Sequence, residues 1–290
     1  MNYHYYSHRF PLYLSAVILI FTGCAPEVQK PRQICAGKES AAEALSVLKS
    51  RSEKVVPLTA TGQCILEYYA EERKRKENFP VKLWVNPPAG IYIQGDIAFD
   101  PRGIVVGSNA DAFWLAIRLK EISTYWWGTW SGVTDSDNLL ISPKIVLESL
   151  GLPAVESDTS GGGNWSLSKE EALDVLTRRN DKGDINKRVY VDKCDYLARK
   201  IEYFGVYGQA QVAVELQKYK EVVDGFFIPT SINISTWVER GRQDSIQITI
   251  KSVKSASFTE KQTNVLFARP EPHGFKHVFV NIDGKWIEQP

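Results

Sequence analysis

His273 and His277 stand four residues apart, a spacing that on a helix would turn two imidazoles to one face and suit a metal ion. The alternation Phe275, His277, Phe279 reads instead as a strand, so no metal site is expected. Serines are plentiful, but no G-x-S-x-G elbow occurs and no histidine is marked by an aspartate partner. Glu170-Glu171 and Asp135/Asp137 fall in loops or helix starts, whereas a glycosidase needs two carboxylates about 5–10 Å apart in one cleft. Asp135, Asp137, Asp181 and Asp184 depart from the spacing of a calcium-binding loop. No Cys-x-x-Cys occurs and no nucleotide-binding motif is visible. These absences point to a binding protein with neither catalysis nor cofactor. The residues most suited to binding are Tyr125-Trp126-Trp127-Gly128-Thr129-Trp130, whose aromatic faces fit an acyl chain or a sugar ring. In a strand, Tyr125 and Trp127 point one way and Trp126 and Trp130 the other. Tyr125 and Trp127 are expected at the mouth of an apolar pocket; the plain alternative is a core strand between sheet and helix.

One further side chain carries chemistry of its own. Cys24 closes the stretch FPLYLSAVILIFTGC, in which Arg9 precedes an apolar run from Leu12 to Phe21 and Thr22-Gly23 stand directly before the thiol. This is the layout of a secretory signal peptide. The run is about ten residues, too short for a helix across a hydrocarbon core of roughly 30 Å. A cysteine after a small residue at that point resembles the bacterial lipobox, with Phe21 a departure from the usual aliphatic residue. The expectation is a signal peptide at 1–23, a lipid such as palmitate on Cys24, and a tether over 24–38. Two or three acyl chains, at about 0.8 kcal/mol per buried CH₂, anchor a protein firmly to a membrane leaflet. Ala25 and Pro26 lack the Asp that retains enterobacterial lipoproteins in the inner membrane, which points to the outer membrane, facing the periplasm.

An exported chain can form disulfides. Cys35, Cys64 and Cys194 then allow one bridge and one leftover thiol, with the pairing open. The formal charge is +1, and losing Arg9 with the signal peptide removes even that, so a nucleic-acid partner is not expected. The basic run Arg73–Lys76 is flanked by Glu71, Glu72 and Glu77 and reads as a solvated tip.

The elements that must position any site are mostly strands. Ser40 to Lys49 has helical spacing, with Ser40 as N-cap and Glu43 three residues on. Thr59–Tyr69 and Val81–Asn86 alternate around the charged tip 71–77. Ile91–Ile97, Gly103–Gly107 and Ala112–Leu119 continue the pattern. Ser142-Pro143 opens a helix ending at Leu150 before Gly151. Residues 156–164 read as a loop. Residues 168–178 fit a capped helix, but Leu173–Arg179 is favoured as a strand because a turn and Ile185–Asp192 follow at hairpin distance. Tyr196–Phe204, Gln209–Tyr219, Phe226–Val238 and Asp244–Val253 form an antiparallel meander, and Lys276–Asn281 with Lys285–Glu288 a last hairpin. One β-rich domain over 39–290, monomeric, is expected.

An N-terminal helix, a long meander and a helix between its halves resemble the LolA/LolB-like lipoprotein carriers. Two stretches carry the likeness: Lys82-Leu83-Trp84-Val85-Asn86-Pro87, and Tyr196–Tyr203 followed by Tyr219 and Val223-Asp224-Gly225-Phe226-Phe227-Ile228-Pro229. Val265-Leu266-Phe267 before Pro270 is similar too. The resemblance implies an α+β, mainly β, antiparallel incomplete barrel whose concave face, covered by helices, holds lipid, acyl chains or a lipidated protein. The lining residues expected from the alternation are Leu83, Val85, Ile91, Ile93, Phe113, Leu115, Ile201, Tyr203, Val212, Val214, Ile232, Ile234, Ile246 and Ile248, together with Tyr125 and Trp127. The competing readings are ordinary core for these residues, an RseB-like envelope-stress sensor or scaffold on the same fold, and a carbohydrate-binding envelope protein using the tryptophans.

Overall fold

Alternation with a period of two dominates the chain because one face of each strand must leave water. The computed structural model describes residues 35–70, 72–97, 100–130, 143–151, 164–205, 207–237, 242–282 and 284–290. Cys24 and the rest of the expected signal and lipidation segment lie outside them, as do Asp135 and Asp137.

Helix α1 (Ala41–Ser52) starts where expected, with the Ser40 hydroxyl accepting from the Glu43 amide at 3.2 Å. Strands β1 (Leu58–Ala70), β2 (Arg73–Asn86), β3 (Gly90–Ile97), β4 (Asp100–Ser108), β5 (Ala112–Ile117) and β6 (Thr124–Thr129) then form one meander. The chain passes through α2 (Pro143–Ser149) to the far edge of the sheet. There β7 (Asn164–Glu170), β8 (Leu173–Arg179), β9 (Ile185–Asp192), β10 (Ala198–Phe204), β11 (Ala210–Val223), β12 (Phe226–Trp237) and β13 (Gln243–Ser255) form a second meander that returns to pair with β1. A short helix α3 (Glu260–Leu266) leads to β14 (His277–Ile282) and β15 (Lys285–Glu288). Among the described residues the result is one sheet of fifteen strands in the order β15-β14-β6-β5-β4-β3-β2-β1-β13-β12-β11-β10-β9-β8-β7. It is open: β15 and β7 are edges, and β1 sits at the centre.

The structure corrects several expectations. The sheet is mixed, not wholly antiparallel, because β14 runs parallel to β6, with Val278 opposite Tyr125 and Val280 opposite Trp127. A parallel pairing needs a long crossover, and residues 256–276 supply it, tied down by Asn109 Nδ2 donating to the Phe267 carbonyl and the Tyr125 hydroxyl to the Pro270 carbonyl. The charged tip is mostly strand: β2 begins at Arg73, and Lys74 and Lys76 both pair with Glu67 across the ladder at 2.7 and 2.9 Å. Residues 164–170, expected as loop and helix start, are edge strand β7, and Leu173–Arg179 is strand β8.

Both α1 and α2 pack on one face of the sheet, and the main core lies there. Rows of cross-strand partners run under them. One is Ile201–Val214–Ile234–Ile246–Leu66, another Leu216–Ile232–Ile248–Cys64–Phe79, and a third Leu83–Ile93–Val106–Leu115–Trp126. The chain entering α1 is fastened to the β8–β10 region. Cys35 is bonded to Cys194, and the Lys38 amide donates to the buried Asp174 carboxylate at 2.7 Å. Cys64 is the leftover thiol, buried in β1.

Candidate functional site

The helix-covered face holds fourteen of the sixteen expected lining residues: Leu83, Val85, Ile91, Ile93, Phe113, Leu115, Ile201, Val212, Val214, Ile232, Ile234, Ile246 and Ile248 are buried, and Tyr203 half-buried. Between the centre of this face and α2 lies a cavity of about 30 Å³. Ile93, Ile234, Ile246 and Ile248 from the expected set line it. Eight further residues complete the wall: Cys64, Leu66, Phe79, Val81, Gly95, Ile104, Val106 and, on α2, Val146. Three were legible, because Cys64, Leu66 and Val81 belong to the same alternations. Phe79 was masked by the charged residues before it, and Val146 depends on where α2 docks.

The cavity has room for about two water molecules and none for an acyl chain. It is lined without a polar side chain, so it has nothing to hold a water with. Burial raises the Cys64 thiol to about 12, which leaves it a neutral apolar wall group at ordinary pH. The roof is thin. Helix α2 is seven residues long and contributes Ile145, Val146 and Leu147 to the core, with Leu150 just beyond it.

A polar contact pins that roof. Glu148 of α2 lies half-buried against Lys187 of β9, with 2.5 Å between carboxylate oxygen and ammonium nitrogen, and the Tyr203 hydroxyl of β10 donates to the same oxygen. Burial alone would raise the Glu148 carboxyl. The Lys187 and Lys144 charges and the two hydrogen bonds outweigh it and hold the group below its ordinary range.

Tyr125 and Trp127 belong elsewhere. Leu115 pairs with Trp126, which fixes the parity of β6 and turns Tyr125 and Trp127 to the opposite face of the sheet. There Val105, Trp114, Ala116 and Tyr125 form a separate small core with Tyr92, Trp127, Phe275 and Val278. Gly107 makes this possible: a Cβ at that position would lie 2.3 Å from the Trp114 ring, which crosses over β4. The Arg269 guanidinium sits 4.1 Å from the centre of the Trp127 ring and occupies a face on which a sugar would stack. Trp126 and Trp130 are the aromatics of the run that face the helices, with Trp130 packed on Phe113 at 5.2 Å between centroids. His277 pairs with Glu288 on β15 and is not joined by His273. Among the described residues no cluster of metal-binding side chains occurs.

No family model matches the sequence, and no curated protein matches it. Solved structures do. A Vibrio parahaemolyticus domain named for outer membrane lipoprotein sorting superposes with a TM-score of 0.53 at 17% identity, covering 77% of this chain and 95% of that one. A LolA superfamily protein from Nitrosomonas europaea gives 0.50 at 13% identity, covering 78% and 97%. The fold is LolA-like. In LolA-like terms the open sheet is the incomplete barrel, and α1 and α2 are the helices on its inner face.

Proposed function

We propose that this protein is a lipid-anchored envelope protein that takes an acyl chain, free or carried by a lipidated protein, between the inner face of its LolA-like sheet and α2. The observation that carries this reading is the wholly apolar cavity at the centre of the sheet, which among the described residues α2 covers through Val146. A cavity of this size accepts a chain only if α2 lifts. The energies for that exchange are matched. Exposing Ile145, Val146, Leu147 and Leu150 costs about 6–12 kcal/mol at roughly 1.5–3 kcal/mol each. Burying about ten methylenes returns about 8 kcal/mol at 0.8 kcal/mol apiece. Uptake is then reversible, as a carrier requires, and needs no chemistry at the site. Directional transfer would draw on a partner.

Cys24 serves as the lipid anchor in this reading, and the Cys35–Cys194 bond fits an oxidising, exported compartment. The two named structural relatives support an envelope setting. The test is mass spectrometry of the chain expressed without residues 1–24 and extracted with organic solvent. A stoichiometric lipid or acylated peptide, lost in Ile234→Asp with the sheet intact, is the expected result. A protein that stays empty after incubation with membranes would make the inner face ordinary core.

A further inference from the structure

We infer that the ligand's acyl chain ends in an anionic head, and that Lys187 and Tyr203 form a seat for it which Glu148 fills while the site is closed. This rests on the acyl-binding reading above and names the class of lipid. Lys187 and Tyr203 face each other across the β9–β10 ladder on the helix-covered side. Both contact one carboxylate oxygen of Glu148, which α2 brings down on them. The adjacent row, Ile201–Val214–Ile234, ends on a wall residue of the cavity. The seat is thus two strands and one side-chain step away, about 12 Å from strand spacings, within the length of a long acyl chain.

The ownership of the groups gives the argument its direction. Glu148 travels with α2, whereas Lys187 and Tyr203 belong to two strands of the sheet. When α2 lifts, its carboxylate leaves, and an ammonium and a hydroxyl remain at the edge of an apolar surface. A ligand with a neutral head would leave Lys187 unpaired beside that surface, which is expensive. A carboxylate or phosphate head would restore the contacts that Glu148 gave up. Glu148 is in this sense an internal stand-in for the ligand's own anion.

The test uses the delipidated chain, a fluorescent alkyl probe in the pocket, and three competitors below their micellar concentrations: palmitate, palmitoyl lysophosphatidate and hexadecanol. At least one anionic competitor should displace the probe at about tenfold lower concentration than hexadecanol, the scale of one charge-assisted hydrogen bond. Preference for palmitate alone assigns the seat to a carboxylate, and preference for lysophosphatidate alone to a phosphate head. Lys187→Met should bring all three together, and Glu148→Gln should widen the gap, because the internal competitor is gone. If Lys187→Met fails to fold, Lys187→Met with Glu148→Gln removes both charges and should likewise abolish the preference. A roof merely loosened by Glu148→Gln would raise all three affinities equally, which would overturn the inference. Equal binding of all three by the parent protein would also overturn it and leave the acyl site standing. Failure of probe and competitors to bind at all would defeat the acyl reading itself.

Discussion

If α2 is the roof of the site, replacing Val146 by Asp should open it, and Cys64 would report the opening. The side chain of Val146 looks into the cavity that Cys64 lines. The substitution forfeits about 2 kcal/mol of Val burial and sets a carboxylate in an apolar space at a cost of at least about 2 kcal/mol. Together these shift the docking of α2 by about 4 kcal/mol, roughly 1000-fold in the undocked population. In the parent protein the thiol is pushed up to about 12 from an ordinary 9.0. At pH 8 that lowers the thiolate fraction by roughly 1000-fold before access is counted. The assay is reaction with a chromogenic disulfide reagent at pH 8, in a chain with Cys24→Ser and the Cys35–Cys194 bond intact. Circular dichroism follows the sheet. Parent protein should react slowly, and Val146→Asp should approach the rate of an exposed thiol with its strand signal unchanged. Equal, slow labelling of the two with the sheet intact would refute the idea that α2 alone closes the cavity.

Three further outcomes are expected. Cys194→Ser should lower stability by about 2–5 kcal/mol in urea, because the Cys35–Cys194 bond closes a loop spanning 159 residues; an unchanged midpoint would show that the N-terminal segment is held by other contacts. The Glu148 carboxyl is held low in the fold, so its contribution is present above the ordinary carboxylate range and is lost as pH falls through its folded value. Protection of the α2 amides, taken against their intrinsic exchange rates, should therefore fall below about pH 4.5, while Glu148→Gln shows a flatter pH profile; identical profiles would count against the pin. Trp127→Ala, on the opposite face under Arg269, should leave lipid content unchanged where Ile234→Asp abolishes it, and a lipid-free Trp127→Ala protein with its sheet intact would move the site to that face.

The strands of the second meander could be read directly because β11, β12 and β13 bury alternate residues and Gly225 and Gly241 punctuate the sequence between them. The helix α1 announced itself through Ser40 and Glu43. Parity within the aromatic run was legible too, since Tyr125 and Trp127 do separate from Trp126 and Trp130. Which parity faces the helices was not, because it depends on Leu115 pairing with Trp126 in a neighbouring strand. The parallel pairing of β14 with β6 was equally hidden, being set by a crossover that brings together residues more than 150 positions apart. Strand β7 carries Trp165 and Leu167 amid polar residues, too weak an alternation to outweigh the capping signal at Ser168. The charges of Arg73–Lys76 mimicked a loop, whereas Glu67 across the ladder makes them a strand. The pin of the roof joins residues 39 and 55 positions apart, and no local pattern links Glu148 to Lys187 or Tyr203.

Acyl binding would set the chain between the inner face of the sheet and α2, and photolysis of a diazirine-bearing palmitate bound to the protein, followed by peptide mapping, reads that position. Adducts are expected on β12 and β13 near Ile234, Ile246 and Ile248, on β2 near Val81, and on α2 near Val146. Adducts confined to the opposite face, around Trp114 and Trp127, would contradict it.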